Sequence, residues 1–170
     1  MVEYLKYRSI SEFTAMPDKD VSALLVAARA MQDATESGTA PRALRGTNLG
    51  LLCDAAEKVA GDAALFQRAA LALGAQVALL RPSLSERSTP DEVRHTAHLL
   101  GLLYDALECV DMSSDLVRRI GAAAGVPVFE SLSSNRHPIA ALALHLNPQL
   151  SINNNRCALM QAVLLGALAN

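Results

Sequence analysis

The stretch that decides the fold is QVALLRPSLSERSTPDEVRHTAHLLGLLYDALECV, residues 76–110. It opens with five residues, Gln76 to Leu80, that form a short apolar run, the mark of a buried strand. A loop follows from Arg81 to Ser88, carrying Pro82 and three serines. Ser88-Thr89-Pro90-Asp91-Glu92 then predicts a helix start: Thr89 can cap the first turn, and Pro90 suits a position whose N–H has no helical partner. The helix runs to about Leu103, and Ala106 to Val110 is again a short apolar strand. A strand, a crossover helix and a second strand in about 35 residues is the unit from which parallel sheets are built.

The same alternation continues on both sides. Asn48 to Cys53 predicts a strand and Lys58 to Leu73 an Ala-rich helix, ended by Gly74, which can adopt positive φ. Beyond residue 110, Ser113 or Ser114 caps a helix from Asp115 to Ala124, and Gly125 ends it. Val126 to Glu130 is a fourth strand, Ser131 to Asn135 a polar loop, and Pro138 to Leu146 a helix. An amphipathic helix from Asp18 to Gln32, with Val21, Leu24, Leu25 and Ala28 on one face, precedes the series. Pro148 and the run Asn153-Asn154-Asn155 break the pattern before a last apolar helix, Arg156 to Ala169. The expectation is a single α/β domain with a roughly four-stranded parallel sheet flanked by helices. Residues 1–147 form the domain, and residues 148–170 supply a C-terminal helix docked on it.

Composition sets limits on function. The 170 residues are 51% hydrophobic and 19% charged, enough for one sizeable core. Trp is absent and aromatics make up 4%, so Ala, Leu and Val must fill that core. A net charge of −2 without a basic block argues against nucleic acid and against an anionic membrane surface. Cys53, Cys109 and Cys157 are scattered, without metal-ligand spacing, and read as buried thiols of a reducing compartment. The N-terminus lacks the apolar stretch of a signal peptide, so a cytoplasmic location is expected. Neither a metal nor a cofactor is expected.

Five short motifs, in order, carry a resemblance. They are Leu44-Arg45-Gly46-Thr47-Asn48-Leu49, Leu73-Gly74-Ala75, Tyr104-Asp105-Ala106, Val126-Pro127-Val128 and His137-Pro138-Ile139-Ala140-Ala141-Leu142-Ala143. They are similar to the leads into strands and helices of the N-terminal, carbamoyl-phosphate-binding domain of aspartate and ornithine carbamoyltransferases. The tail, Asn155-Arg156 followed by Ala162-Val163-Leu164, resembles that family's closing helix. The resemblance implies that a second, amino-acid-binding domain is missing between about Leu146 and Ser151. An ordinary apolar helix completing the core is the alternative reading of the tail.

The resemblance also implies what has been lost. Where the family has Ser-Thr-Arg-Thr-Arg after its first strand, this sequence has Asp54-Ala55-Ala56-Glu57-Lys58-Val59-Ala60-Gly61-Asp62. Acidic groups stand where a phosphate would sit, with Lys58 the one cation. The Arg that ends the family's third strand is absent, and Ala140 stands for the Gln of His-Pro-x-Gln. His137 alone is kept, read first as a structural residue at a helix start and second as a surviving ligand contact. Candidate ligand contacts are therefore His137, Arg136, Ser131, Ser134 and Lys58, with Ser133 beside them. No catalytic residue is assigned. Asp54, Glu57, Asp111 and His137 are the set from which a new acid/base site could be drawn. The resemblance implies a catalytically inactive protein that assembles as a homo-oligomer, such as the family's trimer, or with an active carbamoyltransferase subunit. The alternative is a module binding a small molecule less anionic than carbamoyl phosphate at the strand ends.

Overall fold

The computed structural model describes residues 7–53 and 61–169. Its elements run α1 Ile10–Thr14, α2 Asp18–Glu36, β1 Asn48–Cys53, α3 Asp62–Ala72, β2 Gln76–Leu80 and α4 Pro90–Leu103. They continue with β3 Ala106–Val110, α5 Ser114–Ala124, β4 Val128–Glu130, α6 Pro138–Leu146 and α7 Ile152–Leu168. Every strand pair is parallel, and the order across the sheet is β2-β1-β3-β4. The chain adds β2 on one side of β1 and β3 on the other. The carboxyl ends of β1 and β3, Cys53 and Val110, are therefore register partners at the point where the winding reverses. In sheets of this kind, ligands bind just beyond such a point.

Side-chain alternation divides the core in two. Leu49, Leu51, Ala106, Val110 and Phe129 face α1, α2, α3, α6 and α7. Leu52, Leu107 and Cys109 face α4 and α5. The α4–α5 contact is close because Gly101 has no side chain: a Cβ there would lie 1.7 Å from the carbonyl oxygen of Ala124. None of the described helices is long and apolar enough to cross a membrane.

The expected strands β1, β2 and β3 have the boundaries read from the sequence, and so does α4, whose Thr89 and Glu92 form a reciprocal cap. Four details differ. The sequence reading passed over α1, although Ser9 and Glu12 form the same capping box there. Helix α2 continues past Gln32 to Glu36, and the turn at Gly38, φ 69°, follows it. Strand β4 begins at Val128, not Val126: Pro127 has no N–H to give a ladder, though its carbonyl accepts from Leu107 N at 2.9 Å. Of the helix expected from Lys58, the described part starts at Asp62.

The largest departure is at the tail. The three asparagines do not break the chain. They form the first turn of α7, capped by Ser151. Asn155 is buried, donates from Nδ2 to the carbonyls of Ala143 (2.9 Å) and Asn147 (2.8 Å), and accepts from Gln32 Nε2 at 2.7 Å. One side chain thus ties α7 to the end of α6 and to α2. Helix α7 packs on α2, α3 and α6, and only residues 147–151 separate it from α6. Asn155→Ala removes three hydrogen bonds at once: the Ala143 carbonyl and the Gln32 amide lose theirs in a buried place, and the Asn147 carbonyl keeps only the bond from Leu150 N at 3.3 Å. It should cost about 2–4 kcal/mol in urea denaturation at unchanged m-value.

Candidate functional site at the strand ends

Two non-glycine residues adopt left-handed backbone where the chain leaves β3 and β4: Asp111, φ 56°, and Ser131, φ 49°. Each costs about 1–2 kcal/mol relative to ordinary backbone, and local bonds hold them there. Ser131 N donates to Cys109 O at 2.9 Å, Ser131 Oγ donates to the same carbonyl at 3.2 Å, and Asp111 N donates to Ser131 Oγ at 3.4 Å. This sharp exit turns residues 131–137 back over the strand ends.

Glu108 lies beneath that loop, in the middle of β3 and with no exposed surface. Its Oε1 accepts from Ser133 N (2.9 Å) and Ser133 Oγ (3.1 Å), while Oε2 is buried with no hydrogen-bond partner. Burial pushes its pKa up to about 8. The hydrogen bonds from Ser133 and Leu132 oppose that shift, and the nearby Asp62 charge adds to it. Glu108 is accordingly a neutral acid at pH 7.

The far side of the loop is held by α7. Arg156 forms an ion pair with Asp62 Oδ1 at 2.9 Å and donates to the carbonyl of Ser133 through a short hydrogen bond. Asp62, at the first turn of α3, also accepts from Asn135 N at 3.2 Å. The loop is thus fixed from β3 by Glu108, from α3 by Asp62 and from α7 by Arg156.

His137 caps α6: its Nδ1 accepts from Ile139 N at 3.2 Å. That bond places the ring proton on Nε2, which is buried without a partner. The ring sits edge-on to Phe13 with centroids 4.6 Å apart, and burial lowers its pKa to about 4, so it too is neutral at pH 7.

The structure therefore turns most of the sequence candidates inward. Ser131, Ser133, Ser134 and His137 are buried, and each bonds to its own chain. Ser134 Oγ accepts from Arg136 N at 3.2 Å, while Arg136 itself is exposed. Lys58, Asp54 and Glu57 lie outside the described residues. Asp62 is neutralised by Arg156 and does not stand as a free negative charge. Among the described residues, no group of three or more His, Cys, Asp or Glu side chains could hold a metal ion. Glu108, with its tie through Ser133 to Arg156, went unnoticed in the sequence. Its signal was present: a carboxylate inside a strand otherwise apolar on both faces has to find a partner. Two polar atoms are left unmatched, Glu108 Oε2 and His137 Nε2, and both are buried away from solvent.

No protein-family model matches this chain. The ornithine carbamoyltransferase of Actinobacillus pleuropneumoniae and the catabolic ornithine carbamoyltransferase of Haemophilus influenzae are each 30% identical to it over 139 residues. Those alignments cover 82% of this chain and 41% of the relatives, so the chain spans about two-fifths of their length. Ornithine carbamoyltransferase from Pyrococcus furiosus has a TM-score of 0.67 at 22% identity, covering 82% of this chain and 44% of its own. Aspartate transcarbamoylase from Trypanosoma cruzi has a TM-score of 0.63 at 21% identity, covering 85% and 46%. The α/β fold is that of a carbamoyltransferase domain.

Proposed function

We propose, for a chain whose homologues and structural neighbours are ornithine and aspartate carbamoyltransferases, a non-catalytic role exercised through assembly, with itself or with an active relative. Carbamoyl transfer needs cations around a phosphate, donors on the carbamoyl oxygen and a second domain for the acceptor. Here the loop serines and His137 are spent on holding their own backbone, Arg156 is matched by Asp62, and α6 leads into α7 through five residues, 147–151.

The observation that carries the assembly reading is a stripe on α4. Leu99, Leu102 and Leu103 are 46%, 69% and 66% exposed at helical spacing. Single exposed leucines are ordinary, but three in a row on one helix face indicate a contact surface. The small-molecule alternative has less behind it, because the unmatched Glu108 Oε2 and His137 Nε2 are both closed off from solvent.

Sedimentation velocity and calorimetric titration separate these readings. The expected result is a species heavier than the 18.0 kDa monomer and no heat on adding carbamoyl phosphate. Tight carbamoyl phosphate binding would overturn the non-catalytic reading. A strict monomer that also ignores an added ornithine carbamoyltransferase would overturn assembly.

A further inference from the structure

The two edges of the sheet are treated differently. The β4 edge is covered by the chain's own N-terminal segment: Glu130 N donates to Arg8 O at 3.1 Å, and Glu130 Oε2 accepts from Ile10 N at 2.8 Å. The β2 edge has β1 as its only strand neighbour, and among the described residues nothing comparable closes its other side. Gln76 N donates to Thr47 O, so by strand alternation Gln76, Ala78 and Leu80 direct their backbone groups to β1. Val77 and Leu79 then direct theirs outward. The strand QVALL carries none of the usual guards against edge pairing, having no Lys, no Pro and no charge.

The leucine stripe flanks this same edge. Gly101 marks the side of α4 that touches α5. Leu99 and Leu103 lie two residues to either side of it, about 160° round the helix at 100° per residue. They project away from α5, toward the β2 side. Leu103 accordingly lines a cleft of about 240 Å³ with Gln76, Val77, Ala78 and Tyr104.

From this juxtaposition of a bare edge strand and an apolar helix flank we infer that the partner is a second copy of this chain, paired β2 to β2 about a two-fold axis through Ala78. An unpaired strand edge is matched in full by another strand. Two-fold symmetry makes this one its own complement, with Val77 opposite Leu79 of the other copy. The two α4 helices then lie on the same face of a continuous eight-stranded sheet, with their leucines near the axis. The centre of this contact, Gln76–Leu80 with Leu99, Leu102 and Leu103, is uncharged, and the neighbouring charges, Arg81 after β2 and Arg42 and Arg45 beside Gly74, lie at its two ends. The inference rests on the assembly reading and narrows it: the assembly is a dimer, not the trimer that the family resemblance implies.

Ala78→Cys tests the geometry. At the axis of an antiparallel pair, the two Cα atoms of a non-hydrogen-bonded position are about 4.5 Å apart, within disulfide reach of roughly 4.4–6.8 Å. With diamide as oxidant, the variant should convert almost wholly to a crosslinked dimer. Wild type, whose three cysteines are buried, should not. Leu79→Lys with Leu103→Lys should shift the dimer to monomer in light scattering, weakening association at least tenfold. Far-UV circular dichroism should stay unchanged, because both leucines are already solvent-exposed. A dimer or trimer that survives both lysines, with Ala78→Cys failing to crosslink, overturns the edge pairing and leaves assembly standing. A monomeric wild type overturns the edge pairing, and one that also ignores an added ornithine carbamoyltransferase overturns assembly as well.

Discussion

Gly101→Ala is expected to be the most damaging single-atom-scale change in the protein, lowering stability by about 3 kcal/mol or more. A Cβ at this position would lie 1.7 Å from the Ala124 carbonyl oxygen, 2.8 Å from its carbon and 3.3 Å from its Cα. These are backbone atoms, so no rotamer change relieves the overlap. Helices α4 and α5 must separate by more than an ångström. That separation opens the core in which Val93 and Ala97 of α4 meet Leu116 and Ile120 of α5 over Leu107 and Cys109. The helix-propensity gain of Ala over Gly, about 1 kcal/mol, is too small to offset this. Gly121→Ala is the matching control. Its Cβ would meet only Val128 Cβ of β4, at 3.8 Å, an ordinary van der Waals contact, so the same substitution there should be neutral or stabilise by up to about 1 kcal/mol. Urea denaturation of the two variants beside wild type decides the matter. Equal stabilities would show that α4 and α5 are not packed this closely.

The legibility of this chain follows the range of the forces involved. Strands β1, β2 and β3 could be read because each is a short apolar run between polar segments; β1 and β3 are buried along nearly their whole length, while β2, at the edge, is only partly covered. Helix α4 could be read to its ends because its caps are local: Thr89, Pro90 and Glu92 lie within four residues. The start of α7 was misread for the converse reason. Three asparagines suggest a turn on local grounds, but Asn155 is helical because carbonyls of α6 and an amide of α2, 123 residues earlier, satisfy its side chain. The candidate site suffered likewise. Ser131, Ser134 and His137 were visible as polar groups near the strand ends, yet whether they face a cleft or their own backbone depends on Asp111 and Ser131 turning left-handed together. Nothing within either segment specifies that. The partnership of Arg156 with Asp62, 94 positions apart, is equally invisible to any local pattern.

The pH dependence of stability should show Glu108 and His137 as two opposed limbs. Glu108 has an ordinary value of 4.5 and one of about 8 in the fold. Between those values the folded state keeps a proton that the unfolded chain has released, so stability falls as pH rises across the window. His137 goes from 6.5 to about 4 on folding. Between those values the unfolded chain binds a proton that the folded state refuses, so stability falls as pH drops. The windows overlap from 4.5 to 6.5, where the two slopes cancel and these groups leave stability level. Above 6.5 only Glu108 acts, and the loss by pH 8 should be about 2 kcal/mol, one proton's worth over the remaining interval. Cys109, the thiol beside Glu108 in the chain, adds nothing in this range because burial raises its pKa and keeps it protonated. The charged group acting on Glu108 is Asp62, itself paired with Arg156. Glu108→Gln keeps a carbonyl oxygen for Ser133 and has no proton to lose, so its stability should stay level from pH 6.5 to 8 while wild type declines. The difference between the two denaturation series isolates this one group. Parallel declines would mean that Glu108 is ionised in the fold, and that Ser133 together with the Arg156–Asp62 pair holds a buried carboxylate.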